Sequence, residues 1–375
     1  MFNVFLVIPP GFESIAKKEI ALNFPKLKSI EGSDELEYEC DLETIYKLNL
    51  TLRIPNRILI RFAEFSVKTF QDLFQTAVRL PWKQYLRKDN KVVIQTTCRK
   101  SKLYHSGAVT QRIHQAIEAH LASSIPLISP DSEDQNNKHQ LIIVRLFKDT
   151  LTISIDSSGN PLHRRGYREF VAKAPIRENL ASGLLYAAGW KPENPLIDPF
   201  CGSGTIPIEA ALMAKNQPPG LYRDFAFEHW PGFKQKSWQE MRRTFINNLQ
   251  NADVSIFGSD RDFGAIEIAK TNSQKAKVEQ LIQWQQLSIS EINPVDQPGW
   301  IITNPPYGVR VSSNKDLRNL YARFGDHLQK NFSGWELIFL CNSATLANHT
   351  NLKPKSLLSF SNGGINVQAF YAKIS

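Results

Sequence analysis

Leu196-Ile197-Asp198-Pro199-Phe200-Cys201-Gly202-Ser203-Gly204-Thr205 is the stretch on which the fold turns. An apolar strand runs into a Gly-x-Gly turn, and a helical pattern opens behind it at Thr205–Ala214. Gly202 and Gly204 let the backbone approach a ligand closely. No Gly-Lys-Ser/Thr follows, so the turn is not a P-loop. Pro207 stands where a dinucleotide fingerprint would place its third glycine. A lone Gly-x-Gly is a weak signal, but here a second acidic strand end, Phe257-Gly258-Ser259-Asp260, follows about sixty residues later. A carboxylate at a strand terminus can accept both hydroxyls of a ribose. Asp260 can equally cap the helix that starts near Phe263.

Working outward, strand and helix patterns alternate from residue 176 onward: a helix over Ile176–Ala188, then Leu196–Phe200, Thr205–Ala214, Ser255–Ser259, Phe263–Ala276, Trp300–Thr303, Leu317–Leu328 and Leu337–Cys341. This alternation predicts an α/β domain with a parallel sheet and helices on both faces. Ligands of such sheets bind outside the carboxyl ends of the strands.

Ile301-Ile302-Thr303-Asn304-Pro305-Pro306-Tyr307-Gly308 is the second informative stretch. An exocyclic amine on adenine or guanine is a poor nucleophile because its lone pair is conjugated with the ring. Methyl transfer to it needs acceptors that hold both N–H bonds and draw the nitrogen toward tetrahedral geometry. The side-chain oxygen of Asn304 and the carbonyl of Pro305 supply two acceptors at one point. The paired prolines fix the backbone that carries them. Tyr307 offers a face on which an extruded base can stack. An ordinary Asn-Pro-Pro turn would also follow a strand naturally; its place one strand–helix cycle beyond the glycine turn favours chemistry.

The N-terminal half has a different character. Val4–Ile8, Asn56–Phe62, Val92–Thr96, Leu141–Leu146 and Thr152–Asp156 read as strands. Helical spacing is seen from Phe12 to Phe24, over Phe70–Leu80 and around Val109–Leu121. Asp131–His139 is the most polar stretch and reads as a surface loop, and the basic connector Leu162–Arg168 (LHRRGYR) marks the boundary to the α/β domain.

Charge is distributed unevenly within a net of +9. Residues 1–44 carry four Lys/Arg against nine Asp/Glu, whereas residues 45–112 carry fourteen against three. Such a basic block suits a phosphate backbone, although a merely solvated surface has the same composition. Arg99, Lys100, Lys102 and Arg112 from this block, with Arg164, Arg165 and Arg168 from the connector, are the candidates for contact with such a backbone. The four cysteines are scattered and the eight histidines show no ligand spacing, so neither a disulfide framework nor a metal site is expected. Neither a signal peptide nor a run of about 20 apolar residues is present. A cytoplasmic protein is the expectation.

Asn-Pro-Pro-Tyr together with Asp-Pro-Phe-Cys-Gly-Ser-Gly-Thr resembles the class I amino-methyltransferases. Leu162–Arg168, Ala174–Leu180 (APIRENL), Phe225–Pro231 (FAFEHWP) and Asn362–Ile365 (NGGI) resemble, more narrowly, the THUMP-containing rRNA guanine-N2 methyltransferases. Ser101–Ser106 is similar to a THUMP segment, so the likeness spans essentially the whole chain. The resemblance implies a ferredoxin-like unit over 1–65, a THUMP RNA-binding unit over 66–160 and a Rossmann-like methyltransferase domain over 161–375. That domain would have seven strands, the last antiparallel, for which Gln368–Ile374 is the candidate. Some members carry a second methyltransferase domain; none is expected in these residues.

The implied cofactor is S-adenosylmethionine. Asp260 would take its ribose and Asp198 would lie near its methionine portion, with Phe200, Gly202, Gly204, Thr205 and Asn304 around them. Asn304, Pro305 and Tyr307 form the implied catalytic set. Members of the family place an acidic residue after the third strand for the adenine amine; here Trp284–Ile289 reads WQQLSI, with Ser288 at that position. The implied reaction is N2-methylation of a guanosine in 23S rRNA, free or within a ribosome assembly intermediate. Alternatives are tRNA guanine-N2 methylation, N6-adenine methylation of DNA and a catalytically silent RNA-binding assembly factor.

Overall fold

The computed structural model describes residues 1–30, 36–129, 139–168, 176–307 and 314–375. Expectations for Asp131–Lys138, Ala174, Pro175 and Gly308 lie outside these residues.

The N-terminal half runs β1 (Phe2–Val7), α1 (Glu13–Asn23), β2 (Lys28–Ser29), β3 (Glu37–Cys40), α2 (Leu42–Thr51), β4 (Arg57–Ser66), α3 (Phe70–Ala77), β5 (Lys91–Arg99), α4 (Ser106–Leu121), β6 (His139–Phe147) and β7 (Thr150–Asp156). Its helices start where the sequence supplies caps: the side chains of Asp41, Thr69 and His105 accept backbone N–H groups at the heads of α2, α3 and α4. The strands join one sheet, ordered β2-β3-β1-β4-β7-β6-β5. Strand β4 is its spine. Residues Arg57–Ile60 pair with β1, while Leu59–Ser66 pair with β7 across a register shift at Arg61/Ala63. Positions 65 and 66, either side of the expected unit boundary, therefore both fall within β4.

The C-terminal half runs α5 (Glu178–Ala188), β8 (Leu196–Asp198), α6 (Thr205–Ala214), α7 (Gln235–Asn247), β9 (Ile256–Asp260), α8 (Phe263–Lys275), β10 (Ile282–Gln286), β11 (Trp300–Thr303), α9 (Asn314–Asn331), β12 (Glu336–Cys341), α10 (Ala344–Asn348), β13 (Lys355–Asn362) and β14 (Ile365–Lys373). The sheet order is β10-β9-β8-β11-β12-β14-β13. Strands β10, β9, β8, β11 and β12 pair in parallel; β14 runs antiparallel to both of its neighbours, as expected for the last strand. The order reverses direction at β8, so the crevice between the ends of β8 and β11 is the topological switch point.

The halves share a core. Phe12 packs edge-on against Phe360, with ring centroids 5.0 Å apart. Helix α6 is apolar on nearly every side and buried, and its one carboxylate, Glu209, is fully enclosed. Glu209 accepts hydrogen bonds from Ser182 (2.6 Å) and Tyr167 (3.0 Å) and lies 3.8 Å from Arg53 and 3.7 Å from Arg165. Arg53 belongs to the N-terminal half, so a buried ion cluster spans the junction.

Candidate active site

Three strand ends converge at the switch point. At the end of β8, Asp198 is 1% exposed, and its Oδ1 accepts from Thr303 Oγ1 (2.6 Å) and from the amide of Phe200 (3.2 Å). The first bond crosses to β11 and the second tightens the turn after β8. Burial pushes the Asp198 carboxyl up to about 7, and the charge of Asp260 adds to the rise, against the two hydrogen bonds.

Asp260 ends β9. Its Oδ2 accepts from the amide of Gly202 at 3.1 Å and its Oδ1 from the amide of Asp262 at 3.0 Å. The helix-capping role open to Asp260 falls instead to Asp262, whose carboxylate accepts from the amide of Gly264 at 2.8 Å. Each Asp260 oxygen accepts one such backbone bond and retains lone pairs for a diol. The Gly-x-Gly turn has φ of +51° at Gly202 and +82° at Gly204. A Cβ on Gly204 would meet Trp284 at 2.6 Å and Ala269 at 2.9 Å. The same indole lies under Gly258, where a Cβ would stand 2.2 Å from it. Trp284 of β10 is thus the floor on which the turn and β9 rest, with its Nε1 donating to Ser273 at 3.2 Å. No side chain caps α6, so its first-turn amides are left for an anionic group. Thr205 opens that helix, and Phe200 is half-buried against Phe324. Ser288 follows β10, half-buried, with its hydroxyl 3.0 Å from that of Ser290 and its amide donating to Glu291.

Asn304, Pro305 and Tyr307 leave β11 directly after the Thr303 that bonds Asp198. Pro305 is buried, and Tyr321 of α9 donates to the carbonyl of Pro306 at 3.4 Å, bracing the turn. Tyr307 is half-buried; its hydroxyl accepts from Asn362 Nδ2 at 3.1 Å, and burial raises its phenol. Asn362 ends β13 beside the Gly363-Gly364 turn. Sequence reasoning singled out that stretch as a motif without giving Asn362 a place beside the chemistry. It missed Thr303, Trp284 and Phe263 as well. Phe263, 59% exposed, stands at the first turn of α8, three residues past Asp260.

The RNA-contact candidates divide. Arg99, Lys100 and Lys102 are exposed together where β5 ends, and Arg164 is exposed on the connector. Arg112 lies on α4, half-buried, its guanidinium 6.0 Å over the Phe74 ring. Arg165 is not at the surface: it is 4% exposed, donates to the carbonyls of Leu162 and Arg53, and faces Glu209. Arg168 donates to Thr205 Oγ1 and to the carbonyl of Ile176, both at 2.7 Å, and pairs with Glu178 at 3.5 Å. These two arginines brace the cofactor-side helix, Arg165 from the interior and Arg168 from a half-buried position. A cavity of about 670 Å³ opens elsewhere, between the N-terminal strand and Trp230, and none of the expected site residues line it. Among the described residues no cluster of metal-ligating side chains occurs and no helix is long and apolar enough to cross a membrane.

Three family models match in succession: an RlmL ferredoxin-like domain over residues 3–59, a THUMP domain over 67–156 and an RMKL-like methyltransferase domain over 165–368. A candidate RNA methyltransferase of Synechocystis sp. is 32% identical over 96% of this chain and 94% of its own. The ribosomal RNA large subunit methyltransferase K/L of Shewanella sp. ANA-3 is 31% identical over 97% of this chain, which spans only 52% of that relative. Among solved structures, the candidate methyltransferase SMU.472 in complex with S-adenosylhomocysteine is 29% identical. It superposes with a TM-score of 0.87 over 100% of this chain and 98% of its own. The chain belongs to the RMKL-like methyltransferase family, an S-adenosylmethionine-dependent methyltransferase domain behind an RlmL ferredoxin-like domain and a THUMP domain.

Proposed function

We propose that the chain is an RNA methyltransferase that methylates the exocyclic N2 amine of a guanosine in 23S rRNA, as free RNA or within an assembly intermediate. The observation that carries this reading is that Asn304–Tyr307 leaves β11 beside the paired strand end that holds Asp198. An amine acceptor site and a cofactor cradle then share one crevice. The relatives named for ribosomal RNA and the basic block over 45–112 favour RNA as the polymer.

Bound S-adenosylmethionine supplies an electrophilic methyl group on a sulfonium. Asp260 takes the ribose diol, the exposed ring of Phe263 offers its face to the adenine, and Ser288 is the hydroxyl acceptor after β10. The α6 amides suit the methionine carboxylate, and Asp198 lies on the side of the cationic portion. On the substrate side, Tyr307 stacks against the extruded base with its ring held by Asn362. Asn304 Oδ1 and the Pro305 carbonyl accept the two N–H groups of the amine, releasing its lone pair from the ring. Both acceptors strengthen as the nitrogen gains positive charge, so they favour the transition state over the bound substrate.

The test is transfer of labelled methyl by the purified chain to 23S rRNA from a deletion strain, followed by nucleoside mass spectrometry. N2-methylguanosine is expected, with Asn304→Ala slowing single-turnover transfer about 10²–10³-fold while Kd values for cofactor and RNA change little. N2-methylguanosine confined to tRNA, or N6-methyladenine in DNA, would replace the substrate assignment. No product from any of these polymers would leave an RNA-binding factor without catalysis.

A further inference from the structure

Two large aromatic side chains stand in solvent at one corner of the N-terminal sheet. Tyr104 is 82% exposed and Phe147 is 49% exposed. They belong to neighbouring segments: Phe147 ends β6, and its register partner Arg99 ends β5, five residues before Tyr104. Hydrogen bonds brace the backbone of this corner. Asp149 Oδ1 accepts from the amide of Lys102 at 2.7 Å, the Asp149 amide donates to Ser101 Oγ at 3.0 Å, and its carbonyl accepts from Val67 at 2.8 Å. The Lys148 amide donates to the Arg99 carbonyl at 3.3 Å. Tyr104 itself is pinned on both sides, by buried Leu103 and by His105, whose imidazole caps α4. Around the rings Arg99, Lys100, Lys102 and Lys148 are all exposed, and the Lys148 ammonium sits 5.3 Å from the Phe147 ring centroid. The carboxylate of Asp149, two residues past Phe147, is engaged in the brace.

Exposed rings on a braced backbone among cations suit one kind of ligand. Lysines and arginines alone neutralise phosphates of any RNA, paired or not. Aromatic faces add nothing on a duplex, whose bases are stacked on one another, but they bind unpaired bases well.

We propose that the corner formed by Tyr104, Phe147 and Lys148 binds an unpaired nucleotide of structured RNA, its base stacked on the exposed rings and the adjoining phosphates held by Arg99, Lys100 and Lys102. This inference rests on RNA being the polymer, and it assigns the grip to a single-stranded element that flanks a helix.

Fluorescence anisotropy of the full chain with three labelled probes tests it: a blunt 12-base-pair RNA duplex, the same duplex with a four-nucleotide 3′ overhang, and an oligouridylate of 12 nucleotides. The wild type should prefer the overhang probe to the blunt one about tenfold, the size of one good base–aromatic stack. Tyr104→Ala and Phe147→Ala should each erase most of that preference and weaken oligouridylate binding while leaving the blunt duplex unchanged. Tyr104→Phe should keep the preference. Lys148→Gln should instead flatten the salt dependence for all three probes. Equal wild-type affinity for overhang and blunt probes would overturn the stacking site and leave RNA binding standing. So would an overhang preference that survives both alanine substitutions, or a concentration-dependent dimer that Tyr104→Ala abolishes without changing that preference. Failure of every RNA probe to bind would overturn the stacking site and the RNA reading together.

Discussion

Asp198 is held where its charge is costly. Burial and the neighbouring charge of Asp260 lift its carboxyl from 3.8 to about 7, so near pH 5 the folded chain keeps a proton that the unfolded chain has released. Protons bound in the folded state alone make stability fall as pH rises across that window. Glu19, buried beneath the amides of Arg53 and Ile54 and lifted from 4.5 to about 7 by burial, adds to the same trend. Asp198→Asn keeps an acceptor for Thr303 and Phe200 without a charge. It should leave stability unchanged near pH 4 and raise it at pH 8 by on the order of a few kcal/mol. Urea unfolding at the two pH values measures this directly. The cofactor should invert the cost, because a sulfonium beside Asp198 favours the ionised carboxyl. S-adenosylmethionine should therefore bind more tightly as pH rises from 5 to 7, and more steeply than S-adenosylhomocysteine, which lacks the sulfonium. Calorimetric slopes that are the same for wild type and Asp198→Asn would remove Asp198 from contact with the cationic portion.

Strand β8, the glycine turn and α6 act as one element whose shape is set from below by Trp284. The indole underlies both Gly204 and Gly258, so it has no room to retreat from a new methyl group at position 204. Gly204→Ala adds the left-handed backbone penalty at φ +82° to an overlap with Trp284 and Ala269. The substitution should cost about 2–4 kcal/mol and lower cofactor affinity at least tenfold. Wild-type melting and affinity in this variant would mean that the turn tolerates a side chain and the floor is slack. The turn itself was legible because short-range chemistry writes it: an apolar strand, two glycines and a helix adjacent in sequence. The same holds for Asn304–Tyr307 and for β9 ending on Asp260. Strand β13 was not legible, since most of Lys355–Ser359 faces solvent and no apolar alternation marks it. Helix α7 fully buries only Trp238, and its stripe of Trp238, Met241 and Phe245 is short and set among polar residues. Asn362 escaped notice because its bond to Tyr307 joins residues 55 apart. The burial of Arg165 was illegible for the related reason that composition reports charge and says nothing about exposure.

At the scale of the whole molecule, the two sheets are tied by a charge cluster that neither half completes alone. Glu209 on α6 faces Arg53 from the N-terminal half and Arg165 from the connector, and Arg53 also donates to the carbonyls of Leu212 and Gln217. Arg53 and Arg165 are enclosed with Glu209, and the buried carboxylates of Glu19 and Glu178 lie within electrostatic reach, so removing the Glu209 charge shifts the balance toward unpaired buried cations, which are strongly destabilising. Glu209→Gln preserves shape but replaces one of the two oxygens that accept separately from Ser182 and Tyr167, so it removes the charge and one acceptor with little loss of packing. It should destabilise the chain by about 3–5 kcal/mol. The effect should concentrate at the junction, because the sheet cores on either side, such as Ile142 and Ile155 or Ile301 and Leu337, are untouched. Wild-type unfolding in urea should be a single cooperative transition, with amides of β4 and β11 losing protection from hydrogen exchange together. In Glu209→Gln the two sets should separate, the halves opening at different urea concentrations as in domains joined by a weak interface. The coupling also bears on the site: Arg165 and Arg168 of one connector brace Glu209 and Thr205 of α6, the helix that opens directly behind the glycine turn. Loosening the junction should weaken cofactor binding even though Glu209 touches no part of that crevice. A Glu209→Gln chain that unfolds in one transition, within about 0.5 kcal/mol of wild type and with unchanged cofactor affinity, would show that apolar contacts such as Phe12 on Phe360 hold the halves together alone.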